Sequence, residues 1–325
     1  MPNARSAGLP CGWRLALMAG CTALGTASQP ARAADGADPV PMVAVAPAGA
    51  QADGDAVTDS HSDTFSNSAA AAGARASQPS WSSPLVTTTG LLEQRLRFDI
   101  DEQHSGNGTS TTQIDGGKGV DLIVSDTNEI QIAAPPYDIR TSSLRTGKGA
   151  LTGFADWPVL RVEQRLASSP AGEGDYVLTA FVAVQAPSGI EKLTSNAYIW
   201  TPTIAFGKGW GDFDIQGTFG AALPGSHADT IGYQIQTNLA LQYHVLEVLW
   251  PQLEANWTHY ADGQREGLNQ VYLTPGLVIG RFALGDNVKF TCGAGYQFAV
   301  APSYHASPLT PAYNHAWIFT SRFNF

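Results

Sequence analysis

The last thirteen residues, Tyr313 to Phe325, alternate between an apolar, aromatic-tipped face and a mostly polar one. Trp317, Phe319, Ser321, Phe323 and Phe325 share one face, and Ile318, Thr320, Arg322 and Asn324 the other. A period of two is a strand, and so aromatic a face must be covered either by a second sheet or by hydrocarbon. No apolar run approaches the roughly 18–20 residues a spanning helix needs, so any membrane crossing falls to strands. Only 14% of the residues are charged, with a formal net charge of −10. That balance argues against nucleic acid or anionic lipid as a partner, since both are held by basic patches.

The same alternation recurs upstream. Leu92, Leu96, Phe98 and Ile100 oppose Glu93, Arg95, Arg97 and Asp99, and Leu249, Leu253, Ala255 and Trp257 oppose Gln252, Glu254, Asn256 and Thr258. It predicts twelve strands: 91–101, 119–132, 138–146, 154–167, 175–187, 196–207, 211–223, 230–245, 247–260, 269–281, 286–300 and 313–325. Connections alternate long and short, as in barrels with loops outside and turns inside. An even strand number puts both chain ends on one side. Pro202 and Pro275 fall within strands, where a missing donor predicts bulges or exposed rims. The run Gly207-Lys208-Gly209-Trp210-Gly211 reads as a turn.

At the other end, Arg5 and Arg14 precede the apolar stretch Leu15 to Ala27 and the small-residue site Ala31-Arg32-Ala33. This predicts an export signal over 1–33, cleaved after Ala33, with lipidation at Cys21 as the rival. Either outcome leaves Cys292 without an intrachain partner. Residues 34–84 hold no Lys, one Arg (Arg75) and two aromatics (Phe65, Trp81). Such a segment predicts a disordered leader, with a barrel plug or an envelope tether as the alternative. The barrel domain is then 85–325.

Together these features resemble a Gram-negative outer-membrane β-barrel. The resemblance implies a closed antiparallel all-β barrel, outer-membrane lipid as its surroundings, both termini in the periplasm, and assembly machinery that reads Phe323 and Phe325. The runs 135–158, 198–224, 243–257 and 273–285 further resemble proteins grouped as the "putative MetA-pathway of phenol degradation" family. That likeness covers about residues 118–325 and implies passage of small, including aromatic, compounds; it carries no residue roles.

With the apolar faces toward lipid, Glu93, Arg95, Arg97, Asp99, Asp121, Glu129, Arg161, Glu163, Arg165, Asp212, Asp214, Glu254, Lys289 and Arg322 fall in the lumen. One reading pairs them into a closed polar core. Another sets a basic wall of Arg95, Arg97 and Arg322 against an acidic wall of Asp212, Asp214 and Glu254, a transverse field that would orient small solutes in a pore. Trp200, Trp250, Trp257, Trp317, Tyr198, Tyr233, Tyr243, Tyr260 and Tyr296 are expected in the interfacial girdles. Catalysis has little footing. Ser226, His227 and Asp229 are sequence neighbours whose side chains diverge. His104, Ser105 and Asn107 are similar in residue type to the outer-membrane phospholipase family, but their spacing departs from it. The seven histidines show no ligand spacing, so neither metal nor other cofactor is expected. The expected function is a channel or uptake barrel for small solutes; the alternatives are a structural or tethering barrel with a closed lumen and a lipid-acting hydrolase.

Overall fold

A computed structural model describes residues 69–106, 108–116, 118–142, 150–285, 287–302 and 313–325. The signal expected at 1–33 and the leader as far as residue 68 lie outside the described residues. A short helix, α1 (Ala69–Ala76), is followed by strand segments β1 (Arg95–His104), β2 (Thr109–Ile114), β3 (Gly119–Ser125), β4 (Asn128–Ala133), β5 (Tyr137–Ser142), β6 (Leu151–Phe154), β7 (Trp157–Ser169), β8 (Tyr176–Ala186), β9 (Ile199–Trp210) and β10 (Phe213–Pro224). A single turn of helix, α2 (Ala228–Ile231), precedes β11 (Gln234–Tyr243), β12 (Leu249–Tyr260), β13 (Asn269–Ala283), β14 (Lys289–Ala301) and β15 (His315–Asn324).

Three pairs of segments are single passes broken in the middle. β1 pairs with β3 at Arg95 and Leu96 and with β2 from Ile100 to His104, so β2 and β3 together form one crossing. β4 with β5 and β6 with β7 do the same, and β7 takes up the meander with β8. The described residues thus form an antiparallel up-and-down barrel of twelve passes. It closes where β15 pairs with β1, from Arg95 opposite Asn324 to His104 opposite His315. At the end where β1 starts and β15 finishes, connections run from two residues (Asp126 and Thr127) to six (170–175). Connections at the opposite end reach thirteen residues (302–314).

Several expected boundaries move. The strand expected at 119–132 contains the turn Asp126-Thr127, and β2, too polar to show alternation, was missed. Pro202 and Pro275 cause no register shift: both lie exposed on the outer face of regular pairing in β9 and β13. Shifts occur beside Pro158 and between Gly280 and Phe282 instead. The expected turn at Gly207–Trp210 is the end of β9, and the reversal is only Gly211-Asp212.

The wall is inverted relative to a soluble sheet. Phe98, Val162, Val182, Trp200, Ile204, Phe219, Leu253 and Trp317 are exposed on the outside, while buried polar and charged side chains outnumber buried apolar ones within. That is the arrangement hydrocarbon imposes on a closed barrel. No helix among the described residues is long and apolar enough to cross a membrane. Of the expected girdle, Trp200, Trp317, Tyr198, Tyr233 and Tyr243 are exposed. Trp250 and Tyr260 are corrections: they have the same parity as Glu254, face inward and are 1% and 2% exposed.

Candidate functional site

The interior is occupied by the chain itself. Residues 77–94, the last part of the expected leader together with the supposed start of the barrel domain, form a finger that enters from the short-turn end, reverses and returns to begin β1. The composition of 34–84 predicted disorder, yet α1 and 77–84 are ordered against the wall. Leu85, Val86, Thr87, Thr89, Leu91 and Leu92 are all buried. The composition misled because this segment contributes little core of its own and is covered by the barrel's.

Two legs and a tip make up the finger. Gln78 clamps the legs together, donating to the Leu92 carbonyl at 2.8 Å and accepting from the Leu92 amide at 3.0 Å. α1 packs Ala71 and Ala74 on Leu92 and Ile123. On the rising leg, Leu85 joins Trp250, Val278, Tyr272 and Ile318 in an apolar cluster inside the lumen. It sits in a socket of glycines: a Cβ on Gly276, Gly293 or Gly295 would lie within 2.9 Å of a Leu85 methyl. Trp81 rests on Gly207, where a Cβ would approach its ring to 2.5 Å. Glycines in these strands give up side-chain packing so that another piece of chain can approach closely.

The wall reads the finger's backbone. Arg322 donates to the carbonyls of Ser83 and of Pro84 (2.7 Å to the latter), and Arg97 to that of Leu85 at 2.6 Å. Across the lumen, Glu254 accepts from the amides of Val86 at 2.9 Å and Thr87 at 2.6 Å. Gln216 donates to the Ser82 carbonyl and accepts from the Thr89 hydroxyl, and Thr179 donates to the Gly90 carbonyl. Arg165 holds the base of the finger through the Ala74 carbonyl, the Ser77 hydroxyl and the Gln78 side chain. Basic groups meet carbonyl oxygens and a carboxylate meets amide hydrogens, so the polarity of the lumen matches a strand of peptide.

The expected lumen residues divide accordingly. Arg95, Asp121, Glu129, Arg161 and Glu163 form one buried network on β1, β3, β4 and β7. In it Arg95 donates to Asp121 at 2.6 Å, and Arg161 lies 3.5 Å from Glu129, 3.8 Å from Asp121 and in contact with Glu163. Glu93, at the finger's root, pairs with Arg95, and Asp99 with Arg97 at 2.8 Å. The purely basic wall is therefore a correction. Arg95 is matched by Asp121 across the β1–β3 pairing and by Glu93 two residues before it, and Arg97 by Asp99 two residues along the same strand, since a period of two puts residues i and i+2 on one face. The acidic wall is likewise reduced. Asp212 is exposed in the Gly211-Asp212 turn and does not enter the lumen. Asp214 and Glu254 are buried within a glutamine ladder, Gln216 to Gln242 at 3.1 Å, Gln242 to Gln252 at 2.5 Å and Gln252 to Glu254 at 2.8 Å. Lys289 lies exposed at the short-turn mouth, opposite Asn324. Phe323 stacks at a tilt on Phe290, ring centroids 5.1 Å apart, and the Phe325 amide donates to the Gln94 carbonyl.

Two cavities flank the finger. Beyond the tip, a space of about 100 Å³ is lined by Thr88, Lys118, Arg161, Gln185, Thr218 and Asn238. At the short-turn mouth, a cavity of about 470 Å³ lies between finger and rim, with Trp81, Leu92, Arg281, Lys289, Arg322 and Phe325 among its walls. Arg281 was not legible from alternation, which points residue 281 outward. The shift between Gly280 and Phe282 makes a bulge with Arg281 at φ 64°, and its guanidinium turns in to the Ser80 and Trp81 carbonyls, 5.0 Å from the Trp250 ring centroid. Re-aiming a side chain in this way is a common use of a bulge. Ser226, His227 and Asp229 are exposed around α2 with no hydrogen bond between them. His104 stacks on His315 and lies 3.5 Å from Glu102, and Asn107 is outside the described residues. No cluster of three metal-ligating side chains occurs among the described residues.

No family model matches the chain, and no curated protein matches it. Among solved structures, an outer-membrane channel from Pseudomonas putida F1 is similar at 13% identity and TM-score 0.49, over 72% of this chain and 96% of its own. The NanC porin is similar at 8% identity and TM-score 0.42, over 70% and 98%. OmpT of Vibrio cholerae, expressed in the outer membrane, is similar at 8% and 0.33, over 71% and 96%. These neighbours are outer-membrane proteins, two of them a channel and a porin by name.

Proposed function

We propose that the protein is an outer-membrane barrel that passes small solutes and is held shut by its own N-terminal finger. The observation that carries this reading is how the lumen is filled. The finger is held largely by hydrogen bonds from wall side chains to its backbone, and a wall so lined with Arg, Glu and Gln can hold water when the finger leaves. Twelve strands lie between barrels packed solid by side chains and those with wide aqueous channels, so a removable stopper can decide whether a path exists. In this reading both chain termini lie on the periplasmic side, the outer belt meets outer-membrane lipid, and Phe323 and Phe325 present the closing strand to barrel-assembly machinery. The sequence runs that resemble the phenol-degradation family favour small aromatic compounds among the solutes.

Single-channel recording tests it. Full-length protein is expected to stay closed for most of the time, and a variant lacking residues 77–92 to give a stable conductance step. If that variant keeps a heat-modifiable, folded barrel and gives no step, the channel reading fails. The structural barrel with a closed lumen, favoured by the self-paired network around Asp121 and Arg161, then takes its place. Liposome swelling by the shortened variant with phenol and with a disaccharide reads the solute class.

A further inference from the structure

We propose that the 470 Å³ cavity at the short-turn mouth, between the finger and the rim of β13, β14 and β15, is a binding site for a small amphipathic organic anion such as a carboxylate on an apolar body. The size is in the range of sites that enclose small ligands. Its charge is unlike the rest of a chain whose formal net charge is −10. Four cations, Arg75, Arg281, Lys289 and Arg322, line it, against Glu93 and the C-terminal carboxylate of Phe325. Both acids are already engaged: Glu93 pairs with Arg95 and accepts from the Ser83 hydroxyl, and Arg75 donates to the Phe325 carboxyl end.

Arg75 and Arg322 are engaged, on the Phe325 carboxyl end and on the Ser83 and Pro84 carbonyls, but the other two cations keep donors to spare. Lys289 has no hydrogen-bond or ion-pair partner among the described residues. Arg281 spends one terminal nitrogen on the Ser80 and Trp81 carbonyls, leaving its other donors open. It is also held at φ 64° in a bulge that turns it inward. A non-glycine residue in that region costs conformational energy and persists where its surroundings enforce it, commonly at ligand sites. A planar guanidinium that lines a cavity and has donors to spare suits a carboxylate, and the ammonium of Lys289 in the same lining adds a second charge. The rest of the lining, Trp81, Leu91, Leu92 and Phe325, offers the apolar body a surface. As the first station on a solute path the site rests on the channel reading; as a binding site it does not.

Titration calorimetry on detergent-solubilised full-length protein, with benzoate as the probe and benzamide as its neutral counterpart, tests the site. Benzoate is expected to bind and benzamide to bind far more weakly. Lys289→Ala and Arg281→Gln are each expected to weaken benzoate by about tenfold, the usual loss on removing one charge-assisted contact. Lys289 is exposed at the rim, so its removal leaves the barrel wall intact. No benzoate binding by the native protein, or equal binding by the double variant, overturns the site. Both results are independent of conductance. A folded protein that binds benzoate and never conducts keeps the site and loses the channel, and one that conducts once shortened but never binds benzoate loses the site alone.

Discussion

Glu254 is the residue on which the finger's tip depends most directly. It is fully buried, and it is the acceptor for two successive backbone amides that have no other partner nearby. Replacing it by Ala leaves two buried donors unsatisfied, each costing about 1–3 kcal/mol. Since the loss falls only on the docked state, Glu254→Ala is expected to speed maleimide labelling of a cysteine placed at Thr88, in a Cys292→Ser background, by tenfold or more on that scale. Unchanged labelling would mean the tip is held elsewhere. Glu254 lies buried on the inward face of β12, which is regular along its length, so alternation alone gives its side. It misplaced Asp212, since parity means nothing in a two-residue turn, and missed Arg281, since a bulge inserts a residue and reverses the parity after it. Trp250 went to the wrong face for a different reason: a large aromatic was assigned to the membrane interface by type, although its position relative to Glu254 already turned it inward.

At the scale of the element, the finger is a separable unit set into a wall built with room for it. Leu85→Ala removes the side chain that fills the glycine socket and is expected to cost the docked state about 2–5 kcal/mol, as for other buried leucines. The single-channel readout should be a higher open probability with the same step size, since the wall is untouched. Gly295→Val should likewise raise the open probability, from the side of the wall, because its side chain would claim space that Leu85 occupies. If both variants stay as closed as the native protein, the socket does not hold the finger. The twelve passes were legible from sequence for a physical reason: lipid outside and polar lumen inside force a period of two wherever a strand is continuous. Legibility failed where strands break. β2 (Thr109–Ile114) is nearly all polar and shows no contrast between its faces, so the hairpin around Asp126-Thr127 was read as continuous strand. For the finger, composition offers a barrel plug only as an alternative and gives no position for it: an irregular segment with few apolar residues has no period, and what orders it lies more than a hundred residues away at Gln216, Glu254 and Arg322.

For the whole molecule, stability rests on the outer belt. Leu253 is exposed near the middle of β12, and Leu253→Arg is expected to destabilise the folded barrel by about 2–4 kcal/mol, the cost of a cation near the bilayer midplane. Urea unfolding in lipid vesicles measures this. A lumen substitution such as Gln242→Ala should leave the midpoint far less changed, and equal effects would contradict the assignment of the two faces. Both legs of the inserted segment leave through one opening. The tip therefore never passes from one side of the ring to the other, and extraction requires no free chain end to be threaded and no strand pairing to be broken. A pull on the stretch preceding Ala69 would draw the rising leg out first while Arg95 stayed anchored beside Asn324. The stopper is leashed to its bottle: it can be lifted and reseated many times without being lost.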